Sequence, residues 1–371
     1  MKPRNAVFPV VDAARSGSAV SEIFGARAEK FVARGASKFS RRPAARFRCC
    51  DCSIGESRLL RAAQTPRRAV DDMAPNERAA RKTILITGCS SGIGLDAALT
   101  LDKLGWRVFA ACRQEKDVLR LRSEHGLETC LIDYTKPETI ESGLAHVLRE
   151  TGGTLDALFN NGAYGMGCAA EDVPVQALRE IFECNFFGWH DLTCRVVKVF
   201  RNQGGHGRIV QCSSILGNVV FPMRMAYSAT KFALEAHCDS LRLELADTDI
   251  KVVSLNVGPI RTLIRENSRP HFEKHVQPLV HQSAFRTFYE KKFIPRLYGP
   301  YRKDAGELEP EAVTRALLRA LTVAKPRPRY PVTWPSRLFM FLNRVMPCWA
   351  LDWVKLWGIG LYPVSKLHPP E

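Results

Sequence analysis

The sequence has no run of roughly 18 uncharged apolar residues, the length a helix needs to cross a bilayer. The nearest approach, around Val345 to Tyr362, is broken by Asp352 and Lys355. Acid is scarce: 38 Asp and Glu stand against 54 Lys and Arg, a formal net charge of +16. Such an excess ordinarily points to nucleic acid or an anionic membrane as a partner, but here it is unevenly spread. Residues 1–72 hold fifteen Lys or Arg against seven Asp or Glu, half of the excess in the first fifth of the chain, and nothing after residue 83 presents a comparable basic stripe. A nucleic-acid binder would have to rest on that arm alone, so no nucleic-acid partner is expected. The twelve cysteines are scattered through a long chain, several inside apolar runs, which fits buried reduced thiols in an intracellular protein better than a disulfide scaffold. Cys49, Cys50 and Cys52 cluster, yet no Cys or His group stands at zinc-finger spacing to complete a site, and no metal is expected.

Residues 1–80 are also poor in aromatics and lack any sustained period of 2 or 3.6, so they read as a disordered basic arm. Their Arg- and Ser-rich composition fits a transit peptide, whereas Asp12, Glu22 and Glu29 do not. Alternatively, Met73, shortly after Arg67-Arg68, is the true start and the arm an over-extended reading frame. The expected location is cytoplasmic, with organelle import and peripheral membrane association left open.

From Thr83 the texture changes. Thr83 to Thr87 is a short, uncharged, mostly β-branched run of the kind found in a buried parallel strand. Gly88, Cys89, Ser90, Ser91, Gly92, Ile93 and Gly94 follow, and then a helical pattern through Leu104. Strand, glycine-rich turn and helix together bring backbone N–H groups and a helix N-terminus up to a phosphate. Further strands are expected at Arg107 to Ala111, Glu128 to Ile132, Leu155 to Phe159, Gly207 to Gln211 and Lys251 to Leu255, with helices between them. That alternation predicts an α/β fold, a Rossmann-type doubly wound parallel sheet in one domain over 81–333.

Two strand ends speak to the ligand. After the second strand, an acidic residue would accept hydrogen bonds from the ribose hydroxyls of NAD; Cys112-Arg113 stand there instead, and an arginine suits the extra phosphate of NADP. NADP(H) is therefore favoured, with NAD(H) as the alternative. After the third strand, the Asp133 carboxylate can accept from an adenine amino group, and after the fourth come Asn160, Asn161, Gly162 and Ala163. A long helix is expected from about Val175 to Phe200, with Asn185 inside its apolar stripe, where the amide must either satisfy a neighbouring backbone or hold a water. Tyr227 and Lys231 are four apart, one above the other on a helix face that Leu234, Cys238, Leu241 and Leu245 continue. A phenol and an ammonium on an apolar face need partners or a ligand.

In this order and spacing these residues resemble the short-chain dehydrogenase/reductase family, over about Thr83 to Thr262, with a looser similarity to its hydroxysteroid and retinol dehydrogenase branch. The resemblance implies a catalytic tetrad of Asn185, Ser214, Tyr227 and Lys231, with Ser214 placing the substrate oxygen and Asn185 keeping a water in a relay to Lys231. It implies cofactor contacts at Gly88, Ser90, Ser91, Gly92, Ile93, Gly94, Arg113, Asp133, Asn160, Gly162, Tyr227, Lys231, Gly258, Ile260 and Thr262. Two departures are visible: Gly162-Ala163 stands where the family usually reads Ala-Gly, and Val257-Gly258 where it often reads Pro-Gly. The implied reaction interconverts a carbonyl and an alcohol, with Tyr227 as proton donor or acceptor, its pKa lowered from about 10 by Lys231 and the oxidised cofactor. A non-catalytic NADP-binding sensor of the same fold is the alternative, and the presence of all four tetrad members weighs against it. Homodimers or homotetramers are what the family implies.

The segment 261–302 is expected to be a substrate loop without an independent helix, its aromatics either lining a lipophilic pocket or filling the core of an appended subdomain. Arg329 to Thr333 reads as a last strand, which Pro331 assigns to a sheet edge. The tail 334–371 is aromatic, basic and amphipathic, suited to a membrane interface, to packing on the domain or to a dimer contact.

Overall fold

The computed structural model describes residues 81–358. The arm expected over 1–80 and the last stretch of the tail, 359–371, lie outside the described residues.

Seven parallel strands form one sheet in the order β3-β2-β1-β4-β5-β6-β7. They are β1 (Thr83–Thr87), β2 (Arg107–Cys112), β3 (Glu128–Leu131), β4 (Ala157–Asn160), β5 (His206–Ser214), β6 (Asp249–Val257) and β7 (Arg329–Pro331). The uncharged run that starts the domain becomes β1, buried along its whole length between β2 and β4. Helices α1 (Gly92–Lys103), α2 (Glu115–His125) and α3 (Pro137–Glu150) make the first crossovers. The chain winds outward to β3 and then returns to β4 on the other side of β1, so the winding direction reverses there. Reversal opens a crevice at the carboxyl ends of β1 and β4, the place where open α/β sheets take ligands.

Beyond β4 the helices are α4 (Val175–Phe182), α5 (Gly188–Asn202) and α6 (Met225–Glu244). The long helix expected over Val175 to Phe200 is interrupted: a wide π turn, Glu183–Phe187, separates α4 from α5, and Asn185 sits in it. Such turns are rare and concentrate at functional sites. Strands β5 and β6 pair over nine positions, from His206↔Asp249 to Ser214↔Val257, and so run longer than apolar periodicity alone indicates. The extension makes Ser214 the last residue of β5. Pro331 is in β7, at the edge of the sheet as expected.

The segment after Thr262 corrects one expectation. It contains a twelve-residue helix, α7 (Ile264–His275), despite Pro270 within it. Short helices α8 (Arg286–Phe288) and α9 (Ile294–Tyr298) follow, separated by a second π turn. Its aromatics mostly fill a small core of their own: Phe272 and Tyr289 are buried with Tyr164, Met166 and Ile181, and Phe285, Phe288 and Phe293 pack against them. The Tyr289 hydroxyl fixes the segment by accepting from the Ala169 amide at 2.7 Å and donating to Asp172 at 3.0 Å. Glu180 on α4 pairs with Lys274 and His275 of α7, each at 2.8 Å. Burial would raise the Glu180 carboxyl, but hydrogen bonds from Lys274, His275 and Gln176 hold it down at about 2.

The remaining helices are α10 (Glu311–Thr322), α11 (Trp334–Val345) and α12 (Cys348–Gly358). Thr333 caps α11, its hydroxyl accepting from the Ser336 amide. One side of the tail packs on the domain through Phe221–Phe339 and a bond from Asn343 to the Asn218 carbonyl. Among the described residues no helix is long and apolar enough to cross a membrane.

Candidate active site

The crevice at β1 and β4 is shaped by glycine. Gly88 and Gly92 adopt φ of +68° and +57°, a region that side chains rarely tolerate. A Cβ on Gly88 would stand 2.6 Å from the Gly162 Cα, and one on Gly94 would stand 2.3 Å from the Gly88 carbonyl oxygen. The turn is thus bare backbone leading into the N-terminus of α1, a cradle that fits the pyrophosphate of a dinucleotide. Asn161 ties it to β4 by donating from Nδ2 to the Thr87 and Gly88 carbonyls. Ser90, Ser91 and Ile93 lie half-buried along the same turn, and Arg120 on α2 donates to the Ser90 carbonyl at 2.7 Å. Arg113 is exposed at the end of β2. Asp133, after β3, accepts from the Thr135 amide and hydroxyl through Oδ1.

Asn160, expected among the cofactor contacts, is wholly buried. Its Oδ1 accepts from the Tyr134 hydroxyl at 2.7 Å and its Nδ2 donates to Thr193 at 3.0 Å. Tyr134 in turn meets the Thr87 hydroxyl at 2.6 Å, and Thr87 accepts from the Asn161 amide. Asn160 therefore supports the crevice from beneath, in a polar network whose other members sequence spacing does not single out. Gly162 is part of the crevice wall, and its carbonyl accepts from Trp189 Nε1 at 2.8 Å.

On the far side, Thr262 faces the turn: its Cγ2 would be 3.1 Å from a Cβ on Gly92. Ile260 is bridged to Leu308. A Cβ on Gly258 would overlap Thr333 and Ser336, so the start of the tail braces this stretch from behind.

The tetrad residues converge at the carboxyl ends of β5 and β6. Tyr227 is in the first turn of α6 and Ser214 ends β5, close enough for the Ser214 hydroxyl to pull the phenol's pKa down. The Ser214 hydroxyl accepts from the Leu216 amide at 3.1 Å and donates to the Val257 carbonyl at 3.3 Å, which fixes it in place. Lys231 is almost wholly buried; its ammonium donates to the Cys212 carbonyl at 2.9 Å and lies 4.2 Å from the centre of the Trp189 ring. Burial lowers Lys231 to about 8. The Tyr227 phenol moves the other way: burial and the neighbouring Cys212 push it up, against the pull of Ser214 and Arg224. The lowering expected of Tyr227 rests on Lys231 together with the oxidised cofactor, and in the protein alone burial outweighs the groups that pull it down. The ammonium is committed to Cys212, 5.7 Å from the phenol ring centre, and the phenol holds its proton.

The structure shows the first of the two contacts expected of Asn185. Its Oδ1 accepts from the Tyr164 amide at 3.1 Å and its Nδ2 donates to the Tyr164 carbonyl at 2.8 Å. The side chain thus satisfies a backbone, and the π turn places it opposite that backbone. Tyr164 is stacked on His271 of α7, ring centres 3.6 Å apart, so Asn185 indirectly seats the helix that covers the site. Neither Tyr164 nor His271 stands out in the sequence; their pairing crosses more than a hundred residues.

Residues 82–273 match the short chain dehydrogenase family. The chain is 37% identical to the uncharacterized oxidoreductase YbbO of Escherichia coli K12, over 73% of this chain and 93% of that one. It is 31% identical to retinol dehydrogenase 16 of Homo sapiens, over 74% and 88%. Among solved structures, a short-chain dehydrogenase from Streptomyces avermitilis aligns with a TM-score of 0.58 at 26% identity, over 79% of this chain and 99% of that one. The F189W actinorhodin polyketide ketoreductase, solved with NADPH, gives 0.54 at 26% identity, over 68% and 95%. The glycine cradle and the Tyr227–Lys231 helix both fall within the matched span, and the chain belongs to the short-chain dehydrogenase/reductase family of NAD(P)-dependent oxidoreductases acting on CH–OH groups.

Proposed function

We propose that this chain interconverts a lipophilic carbonyl compound and its alcohol with NADP(H) as the preferred cofactor, NAD(H) being weaker, and that Tyr227 moves the proton. The observation that carries this reading is the convergence of the Tyr227 phenol, Ser214 and Lys231 on the same carboxyl edge of the sheet as the glycine cradle. When bound, the nicotinamide supplies or accepts the hydride. Gly88 to Gly94 would hold its phosphates, Thr262 and Ile260 its nicotinamide end, and Asp133 its adenine. Ser214, already fixed by two hydrogen bonds, orients the substrate oxygen toward the phenol. Tyr227 gives its proton to that oxygen in reduction and takes it back in oxidation. Asn185 acts by holding Tyr164, and through it the covering helix.

A lipophilic substrate is supported by the names of two relatives, retinol dehydrogenase 16 and the 17-beta-hydroxysteroid dehydrogenase type 6 of Rattus norvegicus, the latter 31% identical over 73% of this chain. An apolar pocket lined by Ala169, Met223, Phe232 and Phe285 agrees with it. Assays of aldehydes, ketones and alcohols with NADPH, NADH and their oxidised forms test the reading; a chain that binds the cofactor and turns over none of them is a sensor or scaffold instead.

Arg113 supports the choice of NADP. Arg113→Asp is expected to lower the ratio of kcat/KM with NADPH to that with NADH about a hundredfold, by replacing a charge-assisted contact with repulsion. An unchanged ratio would assign the 2′-phosphate to another residue.

The tail is also part of the proposal. Trp334, Leu338, Phe341 and Val345 recur at helical spacing along α11, and each is 41–61% exposed, although the opposite side of the helix packs on the domain. Trp349 and Trp353 continue the exposed apolar surface on α12, with Arg337 and Arg344 also exposed. Aromatics with flanking cations suit the interface of an anionic bilayer. Co-sedimentation with phosphatidylserine vesicles is the expected result, and recovery of all protein in the supernatant would remove membrane contact from the reading. A homodimer or homotetramer is proposed from family membership; a monomer by light scattering would contradict it.

A further inference from the structure

The apolar pocket that suits a lipophilic substrate in its lining stands apart from the reacting groups in its position. We propose that it is a second binding site, which takes an uncharged lipophilic ketone or alcohol and holds it without reaction. The ligand class rests on the oxidoreductase reading above, whereas the existence of the site does not.

Helix α6 presents two different faces. Met225, Ser228, Ala229 and Phe232 line the pocket, and offsets of three, four and seven residues put them on one side of the helix. Tyr227 and Lys231 lie roughly 130° round the axis from that side, at about 3.6 residues per turn. Neither of them, nor Ser214, is among the lining residues. A molecule in the pocket therefore lies against the back of the helix that carries the phenol.

The loop from Val220 to Met223 makes a second wall and Phe285 a third. Helix α12 closes the pocket with Asp352, Lys355 and Leu356. These walls are braced from outside. The Phe221 ring meets Phe339 of α11 edge-on with centres 5.2 Å apart, and the Met223 carbonyl accepts from the Cys168 amide at 3.1 Å. Met223 has a φ of +62°, alone among the described non-glycine residues in adopting the left-handed region, and such strain persists only where the surrounding fold imposes it. The cavity measures about 650 Å³, within the range of sites for small organic ligands.

What the walls offer a guest is narrow. Lys355, the one cation among them, is buried and pairs with Asp352, the one carboxylate, at 2.6 Å. The two charges cancel, so no free ion is left for a charged guest. Ser228 is the remaining polar side chain of the lining. It is 2% exposed, and its hydroxyl is buried without a hydrogen-bond partner. An unmet buried hydroxyl costs free energy that an oxygen on the guest would recover. Apolar walls, cancelled charge and one unpartnered hydroxyl together suit an uncharged lipophilic molecule with a carbonyl or hydroxyl oxygen.

Isotope-labelled methionine methyl groups test this, because Met225 lines the pocket and the chain has only seven methionines. The full chain, with oxidised cofactor so that no hydride is available, is titrated with α-tetralone and with tetralin, the same skeleton without the carbonyl. The Met225 resonance, assigned through Met225→Leu, is expected to shift and saturate with both probes, α-tetralone binding about fivefold more tightly. Ser228→Ala is expected to remove that preference and leave tetralin binding as it was. Ala229→Phe fills the cavity and is expected to abolish the Met225 response while KM for the substrate turned over at Tyr227 stays at its wild-type value. Should that larger side chain prevent folding, the single-atom change at Ser228 still decides the question. A Met225 resonance that does not respond overturns the site, and equal affinity for the two probes overturns the ligand class. A KM that rises in Ala229→Phe as the response is lost makes the pocket part of the substrate cleft, which overturns a second site and leaves the oxidoreductase reading standing. A responsive Met225 in a chain that turns over no carbonyl or alcohol supports the site and overturns that reading alone.

Discussion

Tyr227→Phe is expected to lower kcat about a thousandfold, within the range for removal of a general acid, while cofactor affinity changes little. The substitution keeps the ring that lies 5.7 Å from the Lys231 ammonium and removes only the hydroxyl beside Ser214. Single-turnover rates measure the first effect and cofactor titration by fluorescence the second. Near-normal turnover would end the assignment of the proton to Tyr227. The direction of the phenol's pKa shift adds a second signature. Burial keeps it protonated at neutral pH, so reduction should be nearly flat through neutrality, whereas oxidation, which needs the phenolate, should rise toward alkaline pH. A bound oxidised nicotinamide adds positive charge and would shift that rise downward.

Legibility in the sequence followed the range of the interactions. Thr83 to Thr87 is legible because a strand buried on both faces needs an uncharged, β-branched run, and Gly88 to Gly94 because close backbone approach excludes side chains. Tyr227 and Lys231 share one helix, so their juxtaposition follows from spacing alone. The roles of Asn185 and Asn160 do not. Each depends on a partner brought near by the fold, Tyr164 for one and Tyr134 with Thr193 for the other. The π turn at Glu183–Phe187 has no periodicity signal, because five residues are too few to shift an apolar stripe visibly. Helix α7 was obscured by Pro270 and by a polar sequence whose principal apolar anchor is Phe272, buried in the second core. Lys231 has two claimants that the fold brings near it, the phenol and the Cys212 carbonyl at the end of β5, and in the protein alone the carbonyl takes its hydrogen bond.

That competition sets up the second large effect. Lys231→Met is expected to lower kcat at least about a hundredfold and yet to make the protein more stable at pH 7. The ammonium is held at about 8 against 10.5 when free, a displacement that corresponds to about 3 kcal/mol of unfavourable burial. Methionine avoids that cost and can still pack its sulfur on Trp189, though the Cys212 carbonyl loses a donor worth about 1 kcal/mol. The net gain is about 2 kcal/mol at pH 7. The sign with pH follows from the depressed folded value. Below about 8 both folded and unfolded wild type carry the charge and the burial cost is complete; between about 8 and 10.5 the folded state has shed its proton while the unfolded state has not, so wild-type stability climbs. Unfolding midpoints of the two proteins should therefore converge as pH approaches 10. A variant less stable than wild type at pH 7 would mean that the Cys212 bond and the Trp189 ring more than offset the burial. In that case Lys231 would be a structural cation as much as a functional one. The expected ordering makes it a group kept at a cost in stability because the site needs a positive charge beside the phenol.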